Sequence, residues 1–347
     1  MKWLVSLLVI CAVMLLLAKN EMFPASMDEF NRVTHPSAGL NPVLWPNDSL
    51  TLANLGHATL LMNFFGVRMI SDPSLFQRVG LDMGAFSIGP HRLVAAPLGP
   101  AQLQTVEVIL ITHAHMDHLD IPSLKALPKT AVVIACSGCA ELIRPLGYSD
   151  VRELRWGEST SVDGLRVTAM AARHWGRRWP WGRDYGFNSY VLEKDGHRML
   201  LACDSAMTDV FAPLRERPLD VTAFSIGAYD PWIWNHANPE EVWKMFLETG
   251  ARYLVPIHWG TFRLSKEPLD EPMRRLIEAA GSQADRIAPR QIGVPWTLPH
   301  RDARWSSAAA GPEAAQTPAD DSARPRRHNP TSRLLEDPDS DPVSYSP

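Results

Sequence analysis

Cysteine is scarce. The 347-residue chain has four, at positions 11, 136, 139 and 203. They are too few and too unevenly spaced to staple a fold, so a disulfide scaffold is excluded and stability must come from a buried core. Cys136-Ser137-Gly138-Cys139 is a lone C-x-x-C. With no second pair and no thioredoxin-like setting it reads as two buried thiols rather than a redox or zinc site. A basic excess is also missing: 34 Lys and Arg against 38 Asp and Glu give a formal charge of −4, no field to hold nucleic acid. Internal repeats are absent, which excludes a solenoid. No apolar run reaches the roughly 18–20 residues of a full membrane span.

The run that comes nearest is residues 4–18, apolar except for Ser6 and followed by Lys19-Asn20-Glu21. It has no convincing cleavage site, and being apolar all round it does not suit a surface helix of a globular domain. The expectation is an uncleaved membrane anchor, with a cleaved signal segment as the alternative. The catalytic domain is expected on the periplasmic or extracytoplasmic side, although the flanking charges do not fix the orientation. The chain therefore divides into an anchor or signal segment at 1–20, a linker at 21–48, a hydrolase domain at 49–298 and a tail at 299–347. The tail turns to Ala, Pro, Ser, Asp and Arg, a composition that predicts disorder.

The most telling segment is His113-Ala114-His115-Met116-Asp117-His118, directly after an apolar run at residues 106–112. The run predicts a buried strand. Residues i and i+2 of an extended segment point the same way, so His113 and His115 can reach one cation, and Asp117 and His118, one turn on, a second. Histidine and carboxylate are the ligands of hydrolytic zinc sites, which keep a position open for water. Other candidates end other β-type runs: His174 after residues 165–172, Asp204 after 198–203 and His258 after 253–257. The set suits two metals, with His113, His115 and His174 on one, Asp117, His118 and His258 on the other, and Asp204 between them. His57, Asp72 and Asp120 are candidates to orient the imidazoles.

Asp120 also predicts an N-cap for a helix over 120–127, with Pro122 in its first turn. Asn238-Pro239-Glu240-Glu241 opens a second helix that stops at Gly250. Residues 187–201 read as a hairpin about Asp195-Gly196. Strands with intervening helices imply an α/β fold of two sheets packed face to face with helices outside.

Several blocks carry a resemblance: Leu55-Gly56-His57-Ala58-Thr59, Ser71-Asp72-Pro73, Gly89-Pro90-His91-Arg92, residues 113–120, His174-Trp175, Asp204, Ile226-Gly227-Ala228-Tyr229, His236 with Asn238-Pro239-Glu240-Glu241, and Ile257-His258-Trp259-Gly260-Thr261-Phe262. Over roughly residues 50–265 the chain resembles the metallo-β-lactamase-fold hydrolases, and within them the N-acylphosphatidylethanolamine phospholipase D-like group. The resemblance implies a four-layer αββα sandwich and two Zn2+ or other divalent cations. It also implies a phospholipase D-type phosphodiesterase acting on N-acyl phosphatidylethanolamine or a related lipid. Asp117 and His236 are the candidate catalytic groups, with His236 as proton donor to the leaving group. One loop departs: Asp230-Pro231-Trp232-Ile233-Trp234-Asn235 is shorter than in better-known members and lacks their basic residue.

Residues 173–185 bear on substrate. They carry four arginines and three tryptophans. Arginine binds phosphate bidentately and tryptophan favours the membrane interface. Arg177, Arg178, Trp179 and Trp181, with Tyr229, are the candidate lipid-binding residues. A lactonase or other ester hydrolase is the alternative enzyme, and a membrane-tethered metal-binding protein the alternative without catalysis.

Overall fold

The computed structural model describes residues 39–84, 87–179 and 181–301. The apolar run at 4–18 and nearly all of the tail lie outside them. Among the described residues no helix is long and apolar enough to cross a membrane.

The chain first lays down an antiparallel meander of β1 (Leu50–Asn54), β2 (Leu60–Phe64) and β3 (Val67–Ser71), followed by a short ribbon of β4 (Leu81–Asp82) and β5 (Ser87–Ile88). Then β6 (Val108–Ile111), β7 (Val132–Cys136) and β8 (Val151–Leu154) add in parallel beside β3. A second sheet starts with antiparallel β9 (Ser159–Val162), β10 (Leu165–Met170), β11 (Ser189–Lys194) and β12 (His197–Cys203). It continues in parallel with β13 (Val221–Ser225) and β14 (Tyr253–Ile257). Last, β15 (Trp296–Thr297) returns to the edge of β1. The strand orders are β15-β1-β2-β3-β6-β7-β8 and β14-β13-β12-β11-β10-β9.

Local sequence explains these elements. Val108-Ile109-Leu110-Ile111 is buried throughout, the pattern of a strand covered on both faces. Tight hairpins turn on Phe65-Gly66, Asp163-Gly164 and Asp195-Gly196, where both residues have positive φ, as a two-residue loop of matching twist demands. Among the described residues the α-helices are α1 (Ile121–Ala126), α2 (Ala140–Ile143), α3 (Pro239–Thr249) and α4 (Glu271–Ala280). Asn238 and Glu241 form a reciprocal capping box on α3, and Gly250 closes it at φ 71.

Apolar side chains separate into three layers. Leu52, Met62, Leu110, Val167, Leu192 and Leu201 pack between the sheets. Ile109, Ile111, Leu124 and Ile143 fill the space between the first sheet and α1 and α2. Leu200, Phe224, Phe246 and Leu276 do the same between the second sheet and α3 and α4. Three apolar layers require four layers of structure, so the expected αββα sandwich is the fold observed. The sheets are also tied by a polar contact: the fully buried Tyr190 of β11 donates its hydroxyl to Ile111 O of β6 at 2.8 Å.

Tyr190→Phe keeps the ring and deletes this tie. The expected loss is about 1–2 kcal/mol in urea unfolding with an unchanged slope, because Ile111 O is left buried without that donor. A variant as stable as the parent would show that the hydroxyl contributes nothing.

Candidate metal centre

The carboxyl ends of the strands meet along one rim, the usual place for a site in α/β sheets. Past β6 come Thr112 and His113, past β12 Asp204, past β14 His258, past β3 Asp72, and four residues past β10 His174. A register shift between Leu201 and Cys203 accompanies the delivery of Asp204. Non-glycine residues in the left-handed region cluster here: His57 (φ 56), Asp72 (φ 38), Cys203 (φ 53), Ala228 (φ 62) and His258 (φ 61). Each costs of order 1 kcal/mol or more, so neighbouring contacts must hold it. His57 N donates to Thr261 Oγ1 at 2.7 Å, and His258 N to His57 O at 2.8 Å. Gly227 has no room for a Cβ because the His258 carbonyl lies against it.

Two donor groups result. His113, His115 and His174 form one, with His115 Nδ1 2.8 Å from His113 Nε2 and 3.3 Å from His174 Nε2. Asp117, His118 and His258 form the other, joined by His57. Asp117 Oδ2 lies 3.5 Å from both His118 Nε2 and His258 Nε2, and 2.8 Å from His57 Nε2. Asp204 stands between the groups. Its Oδ2 is 3.0 Å from His118 Nε2, 3.3 Å from His258 Nε2, 3.8 Å from His113 Nε2 and 3.9 Å from His174 Nε2. His236 Nδ1 completes the ring at 4.0 Å.

Burial depresses the proton affinity of most of these rings, and neighbouring imidazoles add to it for His115. His57 and His174 are held at about 4 and His115 at about 3, so their nitrogens keep lone pairs at neutral pH. For His57 burial outweighs the contact with Asp117. Burial disfavours the charge on Asp117 and Asp204, but the surrounding imidazoles outweigh it and hold both well below the usual carboxylate range. The same carboxylates overcome burial at His258, raised to about 9, and at His118, raised well above its ordinary value. Without a metal, protons on two rings balance two buried carboxylates.

A metal fits better than those protons. His115 Nε2 and His236 Nδ1 are buried without a hydrogen bond, and His118 Nε2, His258 Nε2 and Asp204 Oδ2 lie close together but without a well-aligned one. Such orphaned groups are costly, and here they converge. His113, His115, His174, Asp117, His118, His258 and Asp204 could together hold divalent cations, and nitrogen with carboxylate oxygen suits zinc, iron or manganese. Asp72 braces the set from behind. It accepts from Thr112 N (2.8 Å), Thr112 Oγ1 (2.6 Å), His118 Nδ1 (3.0 Å) and Cys203 Sγ (3.1 Å). Ser225 Oγ donates to Asp204, and Asn235 O pairs with His174 Nδ1 at 3.0 Å.

A cavity of about 130 Å³ opens over the cluster, lined by His115, Asp117, Trp175, Asp204, Ala228, Trp232, Asn235, His236, His258 and Leu264. The five residues expected to bind substrate do not line it. Arg177 is exposed and pairs with Asp184 at 3.2 Å. Arg178 turns inward to Ala114 O and Leu119 O, where backbone carbonyls take up its N–H groups. Trp179 and Trp181 stack on each other, centroids 6.0 Å apart. Tyr229 is buried, with its hydroxyl on Glu271 at 2.9 Å and the Arg275 guanidinium over its ring. Asp120 caps α1 through Ser123 instead of orienting an imidazole, and burial raises its pKa to about 6. Of the wall residues, Leu264 escaped the sequence reading; Trp175 and the loop at 230–235 with Trp232 and Asn235 were singled out there without being assigned to the cavity.

A beta-lactamase superfamily domain model matches residues 80–259. The chain belongs to the β-lactamase superfamily. It is 32% identical over 292 residues to an uncharacterized protein of Mycobacterium tuberculosis, covering 77% of this chain and 78% of that one. It is 29% identical over 251 residues to N-acyl-phosphatidylethanolamine-hydrolyzing phospholipase D 1 of Caenorhabditis elegans, covering 67% and 70%. Among solved structures, isothiocyanate hydrolase from Delia radicum gut bacteria shares the fold with a TM-score of 0.57 at 19% identity, over 71% of this chain and 98% of that one. At this level the superfamily member is a metal-dependent hydrolase with the metallo-β-lactamase fold.

Asp72→Asn tests the brace. An amide cannot accept from every donor that the carboxylate serves, so buried donors lose their partner at a cost of about 3 kcal/mol. Chemical unfolding of the metal-free variant reads the loss; a change under about 0.5 kcal/mol would mean that the network is incidental.

Proposed function

We propose that this chain is a phospholipase D-type phosphodiesterase that hydrolyses N-acyl phosphatidylethanolamine, or a closely related lipid, to phosphatidic acid and an N-acylethanolamine. The observation that carries the reading is the convergence of six nitrogen and oxygen donors around a seventh, Asp204, beneath an open cavity. The 29% identity to a worm enzyme of that name supports the substrate class. In this reading His113, His115 and His174 would hold one zinc ion and Asp117, His118 and His258 a second, with Asp204 available to either. Divalent cations so held would supply hydroxide near pH 7 and draw charge from the electrophile.

The chain's own groups do the rest. His57, 2.8 Å from Asp117, fixes the carboxylate that faces the cavity. Trp175, Trp232 and Leu264 give the open cavity an apolar wall. His236 faces the same cavity and is the candidate donor to the ethanolamine oxygen; burial holds its ring well below the usual imidazole range, so it must first take up a proton, from the attacking water, before passing it to the oxygen as it departs. The apolar run at residues 4–18 would keep the enzyme at the bilayer that contains its substrate.

A second reading, hydrolysis of a lactone or carboxylic ester, is favoured by one feature. The described cavity lining includes no Lys or Arg, and Arg177 and Arg178 are engaged elsewhere. Phosphate charge would thus rest on the cations alone.

Metal-loaded protein should be offered N-acylphosphatidylethanolamine, a bis-aryl phosphodiester and an acyl lactone. The lipid and the aryl diester should be cleaved and the lactone left; lactone opening without phosphodiester cleavage would establish the second reading. His236→Ala should lower kcat on the lipid by roughly 10²–10⁴-fold, the range of a lost general acid. It should change aryl-diester turnover far less, because that leaving group needs no proton. Equal losses on both would remove His236 from the acid role.

A further inference from the structure

Arginine 178 lies behind the cluster rather than over it. The chain leaves β10, passes His174, and four residues later turns this side chain beneath the loop that carries the other ligand candidates. Arg178 Nη1 donates to Ala114 O and to Leu119 O, both at 2.8 Å. These two carbonyls flank His115-Met116-Asp117-His118, one before it and one after. Ala114 and Leu119 are both fully buried. The loop's own N–H groups do not serve these carbonyls: His118 N and Leu119 N both donate to His115 O, at 3.1 and 2.8 Å. Buried carbonyls need donors, and the guanidinium supplies them.

The segment that presents Arg178 is anchored at several points. Arg173 N donates to Ser205 Oγ at 3.0 Å, and Tyr185 N to Gly176 O at 3.2 Å. A Cβ at Gly176 would collide with the Tyr185 carbonyl, which fixes a glycine where the two strands of the excursion meet. Gly186 N reaches Ser137 O at 2.8 Å. Asp120, with an oxygen buried and lacking a hydrogen bond, supplies opposite charge to Arg178. Arg177, its neighbour, is exposed on Asp184 and makes no such contact.

We propose that Arg178 is a positioning residue that cross-braces the two ligand-bearing segments. It locks the 114–119 loop to the 174–178 segment, so His115, Asp117 and His118 keep their placement relative to His174. A planar guanidinium can feed two carbonyls from a fixed geometry; an ammonium is a point charge and cannot do so equally well. The inference rests on the metal reading of the cluster.

The test uses the full chain with Arg178→Gln and Arg178→Lys, and Arg177→Ala as control. Cobalt(II) affinity is measured by competition with a chromophoric chelator, and the visible spectrum of the loaded protein reports ligand geometry. Arg178→Gln should bind cobalt about 10–100-fold more weakly, the usual loss when a partner that orients ligands is removed, and its spectrum should change. Arg178→Lys should recover part of both, and Arg177→Ala should match the native protein. Native affinity and spectrum in Arg178→Gln would overturn the brace, and a raised KM for lipid alongside them would return Arg178 to phosphate binding. Should Arg178→Gln fail to fold by circular dichroism, Arg178→Lys decides: native affinity and spectrum overturn the brace, weaker binding with a changed spectrum supports it. A native chain that takes up no cobalt defeats the metal reading itself and the brace with it, an outcome distinct from a loss confined to the variants.

Discussion

One carboxylate organises the site. Asp204 Oδ2 is buried, has no well-aligned hydrogen bond, and lies within 4.0 Å of nitrogens from five histidines. An ionised oxygen in that position is tolerable only if positive charge sits beside it. In the protein alone that charge is carried by His118 and His258, whose protons are held by the very carboxylates that burial disfavours. Cations would replace those protons, bind the lone pairs of the remaining rings and satisfy the orphaned atoms together. Metal uptake at such a site must release protons, which couples affinity to pH.

The surrounding fold holds this arrangement in place. Parallel strands bring their carboxyl ends to one rim, and left-handed backbone at His57, Asp72, Cys203, Ala228 and His258 aims the segments that leave them. That strain is sustained by buried hydrogen bonds with little freedom, such as those of Asp72 to the β6 exit and to His118. Arg92 is comparable on another side. It is fully buried, donates to Ser74 O, Val94 O and Leu55 O, and stands under the Phe262 ring beside the Gly56-His57 turn. Rigidity is built first, and the chemistry sits on it.

Residues with a local signal were legible in the sequence. The buried β6, the α1 and α3 caps and the Asp195-Gly196 hairpin follow from patterns of a few residues. His113, His115, Asp117 and His118 stand out because imidazoles concentrate at the end of an apolar strand. His174, Asp204 and His258 were legible because each follows its own β-type run. Less legible were side chains whose surroundings depend on a partner far away in sequence. Arg178 and Tyr229 look like ligand-binding residues, yet Ala114 O, Leu119 O and Glu271 take their polar groups. Trp232 and Leu264 carry no pattern that marks them as cavity wall; only the packing of the 230–235 loop, pinned by Glu267 on Ala228 N and Asp230 N, places Trp232 there.

The most direct test of the central claim is a crystal structure of metal-loaded protein with anomalous diffraction recorded at the metal's absorption edge. The account predicts two anomalous peaks per chain, one among His113, His115 and His174 and one among Asp117, His118 and His258, with the Asp204 carboxylate between them. A single peak, or peaks away from Asp204, would contradict it.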